Sequence, residues 1–136
     1  MKSKLPIICV DFDGVLHSYS GGWKGPRNIP DAPVPGAIAW LRELVGPGEN
    51  VSNFFSPRVQ VAIYSSRSRY WFGRRAMKRW LLKHGLTRYQ LESISFPTQK
   101  PPAFLQIDDR AVTFTGTFPC VCEMLEFKPW NKKAKP

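Results

Sequence analysis

Four acidic residues stand directly after two apolar runs. Asp11 and Asp13 follow "LPIICV" at residues 5–10, and Asp108 and Asp109 follow "AFLQI" at residues 103–107. Two further groups follow other apolar runs: Ser65 after "RVQVAIY" at 58–64, and Lys100 shortly beyond "ESISF" at 92–96. If these runs are parallel strands, their carboxyl ends share one edge, where the ligands of open parallel sheets gather. Carboxylates held together there repel one another unless a cation lies among them. Oxygen donors with few nitrogens or sulfurs suit a hard ion such as Mg²⁺. Each residue also has a plainer role. Ser65 could cap a following helix, Lys100 could be a solvated loop lysine, and Asp108–Asp109 could be a turn. Ser66 competes with Ser65, which is preferred because it directly follows the strand.

The elements that must hold these residues alternate. The run at 5–10 is apolar on both faces, as in a central parallel strand. Residues 13–35 are rich in Gly, Ser and Pro and read as a loop or small hairpin. Ile38, Leu41, Leu44 and Val45 place a helix over about 35–45, ended by "GPG" at 46–48. A second helix spans about 70–84, with Phe72, Ala76, Trp80 and Leu81 inward and Arg74, Arg75, Lys78, Arg79 and Lys83 outward. A last helix lies near 119–127. Strands alternating with helices predict an α/β fold, a mainly parallel sheet with helices on both faces. The expected organisation is one domain over 1–127 and a frayed basic tail over 128–136. Only a few residues separate the strands ending at 96 and starting at 103, too few for a crossover helix between parallel neighbours.

This pattern resembles the haloacid dehalogenase (HAD) superfamily of phosphotransferases. "ICVDFDGVL" matches its first motif, "VAIYSS" the second, "QKPP" the third and "LQIDDR" the fourth, in that order, over about residues 5–110. The resemblance implies a Rossmann-like HAD fold with a small flap after the first strand and no large cap. It also implies roles. Asp11 is the nucleophile that forms an aspartyl-phosphate, and Asp13 is the acid and base. Ser65 bonds a phosphoryl oxygen, and Lys100 balances the charge of Asp11 and phosphate. Asp11, the backbone carbonyl of Asp13, and Asp108 hold Mg²⁺, with Asp109 binding directly or through water. An acidic pair that comes last in the chain argues against a signalling receiver, and Asp13 argues against a dehalogenase.

The space between the first two motifs is too short for a large cap, so the site should be open to bulky substrates. Trp23 in the flap either stacks on a base or packs the flap down. "SSRSR" followed by "DDR" looks like the phosphatase domain of phage polynucleotide kinases, with Ser66 where those enzymes carry Gly. This makes Gly14, Ser66, Arg67, Trp23 and Arg110 the expected substrate-binding residues, although Arg110 could equally be a surface ion pair. No Gly-Lys-Ser/Thr loop is present, so no kinase activity is expected.

The net charge of +10 over 136 residues favours a polyanionic or phosphorylated partner, while a basic surface could also serve solubility alone. Cys9, Cys120 and Cys122 make neither a disulfide framework nor a four-ligand zinc site; Cys120 and Cys122 are expected to pack. No apolar run approaches the ~20 residues of a membrane span, so a soluble, cytoplasmic protein is expected. The leading expectation is a Mg²⁺-dependent phosphomonoesterase acting on nucleotides or nucleic-acid 3′ ends. The alternatives are a phosphatase of free nucleotides or other small metabolites, and a basic nucleic-acid-binding module that has lost turnover.

Overall fold

The structure, a computed structural model, describes residues 4–47 and 56–132. Its centre is β1 (Ile7–Val10), flanked by β2 (Gln60–Ile63) and β4 (Leu105–Ile107), with β3 (Ile94–Ser95) outside β2. All three pairings are parallel. Val10 stands opposite both Ile63 and Ile107, so three strands end level. The ladder continues one residue further: Asp11 N–H donates to the Ile107 carbonyl at 2.9 Å and Tyr64 N–H to the Val10 carbonyl at 3.1 Å. That register delivers the residues after each strand to one edge.

The sheet order removes the difficulty over the short third connection. β3 and β4 lie at opposite edges and are not neighbours. Residues 96–104 cross sideways by roughly 14 Å, three strand spacings, a distance that extended backbone at about 3.3 Å per residue covers without a helix.

The two faces are unequal. Val10, Val61, Ile63 and Ile94 join Phe12 and Leu16 in one apolar cluster with α1 (Ala37–Val45), through Ala37 and Leu41, and α2 (Trp71–Lys83), through Met77, Trp80 and Leu81. The alternate residues Cys9, Ala62, Ser95 and Gln106 are small or polar. Thus α1 and α2 both pack on the first face. Cys9 and Ala62 are nevertheless buried, so β1 and β2 both have side chains covered on both sides. No cap domain is present among the described residues.

α2 is turned relative to the sequence pattern. Its buried positions are Gly73, Met77, Trp80 and Leu81, whereas Phe72 and Ala76 are only partly buried. The reason is Gly73, where an added Cβ would collide with the Arg67 carbonyl. Only a hydrogen fits there, so the helix packs on its smallest residue. A short α3 (Arg88–Glu92) was not expected; it opens with a reciprocal cap in which Thr87 and Gln90 satisfy each other's backbone N–H.

After β4 the chain is much less packed. Val112, Phe114, Phe118 and Leu125 are exposed, and α4 (Val121–Leu125) has no buried residue. Cys120 and Cys122 are therefore exposed rather than packed. The expected fraying fails for Trp130–Lys132, which form a single 3₁₀ turn. Residues 133–136 of the expected tail, and Gly48 of the "GPG" stop, lie outside the described residues.

Candidate functional site

The level strand ends bring the acids together. Carboxylate oxygens of Asp11, Asp108 and Asp109 lie within 4.8 Å of one another. Asp11 is fixed by its ladder bond and by Phe12 N–H donating to its Oδ1 at 2.8 Å. Asp108 Oδ1 accepts from Arg110 N–H at 2.8 Å, so the expected turn is present as well as the acidic pair. Asp109 comes in beside Gly14, where φ is +85° and an added Cβ would overlap the Asp109 carboxylate. Gly14 therefore serves the cluster through both its backbone conformation and its missing side chain.

Burial, then the negative charges of Asp108 and Asp109, push Asp11 from 3.8 up to about 8, against the lowering effect of the Phe12 N–H. A cluster that resists its own ionisation fits a divalent cation, and its donors are all hard oxygens. The residues present thus fit Mg²⁺. Burial, the first cause, and the nearby Asp11 and Asp108 raise the Cys9 thiol behind the cluster, while Lys100 acts the other way.

Asp11, Ser65, Ser66, Lys100 and Asp108 line one cleft of about 190 Å³. That is below the roughly 300 Å³ at which clefts begin to enclose whole ligands. It holds a reacting group and leaves the rest of a substrate outside. The two serines differ. Ser65 is buried, and its Oγ accepts from Arg67 N–H at 3.1 Å and meets Met77 Sδ at 3.7 Å. It also caps the 3₁₀ turn Ser66–Arg69 in a reciprocal cap with Ser68. Ser66 is exposed in the same cleft.

The Asp13 carboxylate lies outside the acidic cluster. Its oxygens accept from Arg67 Nε at 3.0 and 3.2 Å, from Arg67 Nη2 at 3.1 Å and from His17 Nδ1 at 2.9 Å. His17 Nε2 accepts from Asp31 N–H at 3.1 Å, which leaves the ring proton on Nδ1, facing Asp13. Asp13 is thereby held in one orientation by two fully buried side chains.

Arg67 departs from its expected role. It is 0% exposed, and its Nη1 donates to the carbonyls of Gly25, Pro26 and Asn28 at 2.9–3.1 Å. It ties the flap to Asp13 and presents no donor to solvent. Trp23 lies over this guanidinium at 4.8 Å yet stays 47% exposed. Trp23 thus packs on the flap's own anchor and keeps about half of its surface exposed. Arg110 is exposed and makes no ion pair among the described residues.

Three contributors escaped the sequence reading. His17 stacks on Phe12 and meets Trp80 edge-on at 5.7 Å, and Trp80 Nε1 donates to the Asp31 carbonyl. Asp31 accepts from Gly21 N–H and so closes the flap on itself. Trp130 Nε1 donates to the Gly14 carbonyl at 2.7 Å, pinning the far end of the chain to the first acidic loop. Only "HSY" next to Asp13 carried a local signal; the other contacts span long sequence separations. No helix among the described residues is long and apolar enough to cross a membrane. Comparison of the chain with protein-family models, with curated proteins and with solved structures finds no match.

Proposed function

We propose that the chain is a Mg²⁺-dependent phosphomonoester hydrolase of the HAD type, acting on nucleotide or nucleic-acid phosphates, the 3′ end above all. The observation that carries this reading is the convergence of Asp11, Asp108 and Asp109 at level strand ends, beside a cleft shared with Lys100 and Ser66. Asp11, Asp108, Asp109 and the Asp13 carbonyl would hold the ion, which supplies positive charge against phosphate and against the acids themselves.

The protein's own groups account for the remaining steps. The Asp11 carboxylate attacks phosphorus and the ester oxygen leaves, giving an aspartyl-phosphate on Asp11. Asp13, oriented by Arg67 and His17, gives the proton to the leaving oxygen. It then takes one from the water that attacks the intermediate and restores Asp11. Lys100 faces the charge on phosphate, and the Ser66 hydroxyl reaches a phosphoryl oxygen. Ser65 orders the turn that places it.

Phosphate release tests this directly. The substrates are a 3′-phosphorylated oligonucleotide, its 5′-phosphorylated counterpart, 3′- and 5′-mononucleotides and a sugar phosphate, each with Mg²⁺ or with EDTA. Preference for the 3′-phosphorylated strand, lost in EDTA and in Asp11→Asn, is the expected result. Release from mononucleotides alone moves the substrate to small molecules. No release from any of them refutes the hydrolase, and unchanged turnover in Asp11→Asn refutes its nucleophile.

A further inference from the structure

A second concavity, of about 540 Å³, lies between α2 and the flap. Arg27, Trp71, Phe72, Arg75, Arg79 and Lys83 line it, and no acid does. Helical spacing builds this wall. Trp71, Arg75, Arg79 and Lys83 follow one another at i, i+4 steps, and Phe72 and Ala76 form the adjacent row. Arg27 reaches across from the flap and lies 4.5 Å over the Phe72 ring. Trp71 is 61% exposed.

This arrangement opposes the stability of the helix that carries it. Like charges at i, i+4 spacing destabilise a helix, and α2 has no acid in its first turn to offset them. The other two cations of α2 are engaged elsewhere: Arg74 donates to the Ser68 carbonyl at 2.7 Å and Lys78 lies over Phe96. Arg75, Arg79 and Lys83 make no ion pair among the described residues. A row of cations with no ion pair among the described residues, beside the exposed Trp71 ring, is complementary to a polyanion whose units carry flat rings.

We infer that this groove binds single-stranded nucleic acid, with phosphates along Arg75, Arg79 and Lys83 and a base on Trp71. A duplex keeps its base faces stacked inside and has none to offer Trp71, whereas a single strand does. The flap links the groove to Asp13. Residues 23–28 carry Arg27 toward the groove, while the carbonyls of Gly25, Pro26 and Asn28 hold Arg67 and through it Asp13. Trp23, in the same flap and 47% exposed, packs on the Arg67 guanidinium. What the strand is delivered to rests on the phosphohydrolase reading; its binding in the groove does not.

The test is fluorescence anisotropy of the full chain, in EDTA, with a labelled, unphosphorylated thymidine strand. A length of about 12 nucleotides falls within the roughly 4–16 that single-strand sites cover. Wild type should bind it more tightly than a duplex of equal length. Affinity should fall with salt at a log–log slope near −2, about −0.7 for each of three phosphate contacts. Arg75→Ala/Arg79→Ala should bring that slope to about −0.7. Trp71→Ala should weaken binding roughly 5- to 150-fold with the slope unchanged, and Arg88→Ala, at an exposed position of α3, should change neither. Circular dichroism confirms the fold of each variant. Equal affinity for duplex and single strand, or Trp71→Ala binding like wild type, overturns the inference. Binding without phosphate release from any substrate keeps the groove and removes the hydrolase; release without strand binding does the reverse.

Discussion

Asp11→Asn should make the metal-free protein more stable while removing the group proposed to attack phosphorus. Folding raises Asp11 from 3.8 to about 8, through burial first and then the charges of Asp108 and Asp109. Between those two values the unfolded chain has released the proton and the folded chain still holds it. The stability this group contributes is therefore full below about pH 4 and is lost as pH rises toward 8. At about 1.4 kcal/mol for each tenfold change in proton affinity, the ceiling at pH 8 is about 5 kcal/mol. Asp11 is only partly buried, and water on its open side screens the repulsion. An effect of about 2–3 kcal/mol is the reasonable expectation. Asparagine keeps the shape and the oxygen that accepts from Phe12 N–H. The assay is urea unfolding of both proteins in EDTA from pH 4 to 8, so that titrations common to both cancel in the difference. The variant should match wild type near pH 4 and exceed it at pH 8. Saturating Mg²⁺ should then stabilise wild type, by about 2.7 kcal/mol at a hundred times Kd, and the variant less. If the two proteins keep the same difference at every pH, Asp11 is not under electrostatic pressure and the case for a cation fails.

Gly14→Ala should reduce both Mg²⁺ affinity by calorimetry and stability, by about 2 kcal/mol or more, because the methyl meets the Asp109 carboxylate at a positive φ. Arg67→Lys retains the charge but cannot make the fan of bonds to Asp13 and three flap carbonyls. Chemical denaturation should show a loss of about 3 kcal/mol, in the range for disrupting a buried pair, together with faster proteolysis of residues 19–28. Trp130→Phe removes one 2.7 Å bond to Gly14 and should cost about 1 kcal/mol in a thermal melt.

The strands were legible because each apolar run stops at a polar residue with a turn or helix behind it. The acidic cluster was legible for the same reason: Asp11 and Asp108 sit at the ends of runs that pair in register. The burial of Arg67 was not legible because sequence shows an arginine beside a motif serine but not the flap carbonyls and Asp13 that fold over it. The rotation of α2 was hidden because Gly73 carries no apolar signal, yet packs closest. The short α3 has a visible cue in "TRYQ", whose first and fourth residues cap each other, but five residues are too few to carry an apolar periodicity. Nothing local to Trp130 announces a partner 116 residues away.

That last contact bears on how the molecule comes into being. β4 emerges in synthesis some hundred residues after its partner β1, and Trp130 later still. Such long-range pairing is slow, because loop closure must precede any gain from contact. On the ribosome, Asp11 therefore waits for nearly a hundred residues of synthesis without Asp108 and Asp109 beside it. The mutual repulsion of the three carboxylates is deferred until β4 docks on β1, when α1, α2 and the flap can already be in place to hold them together.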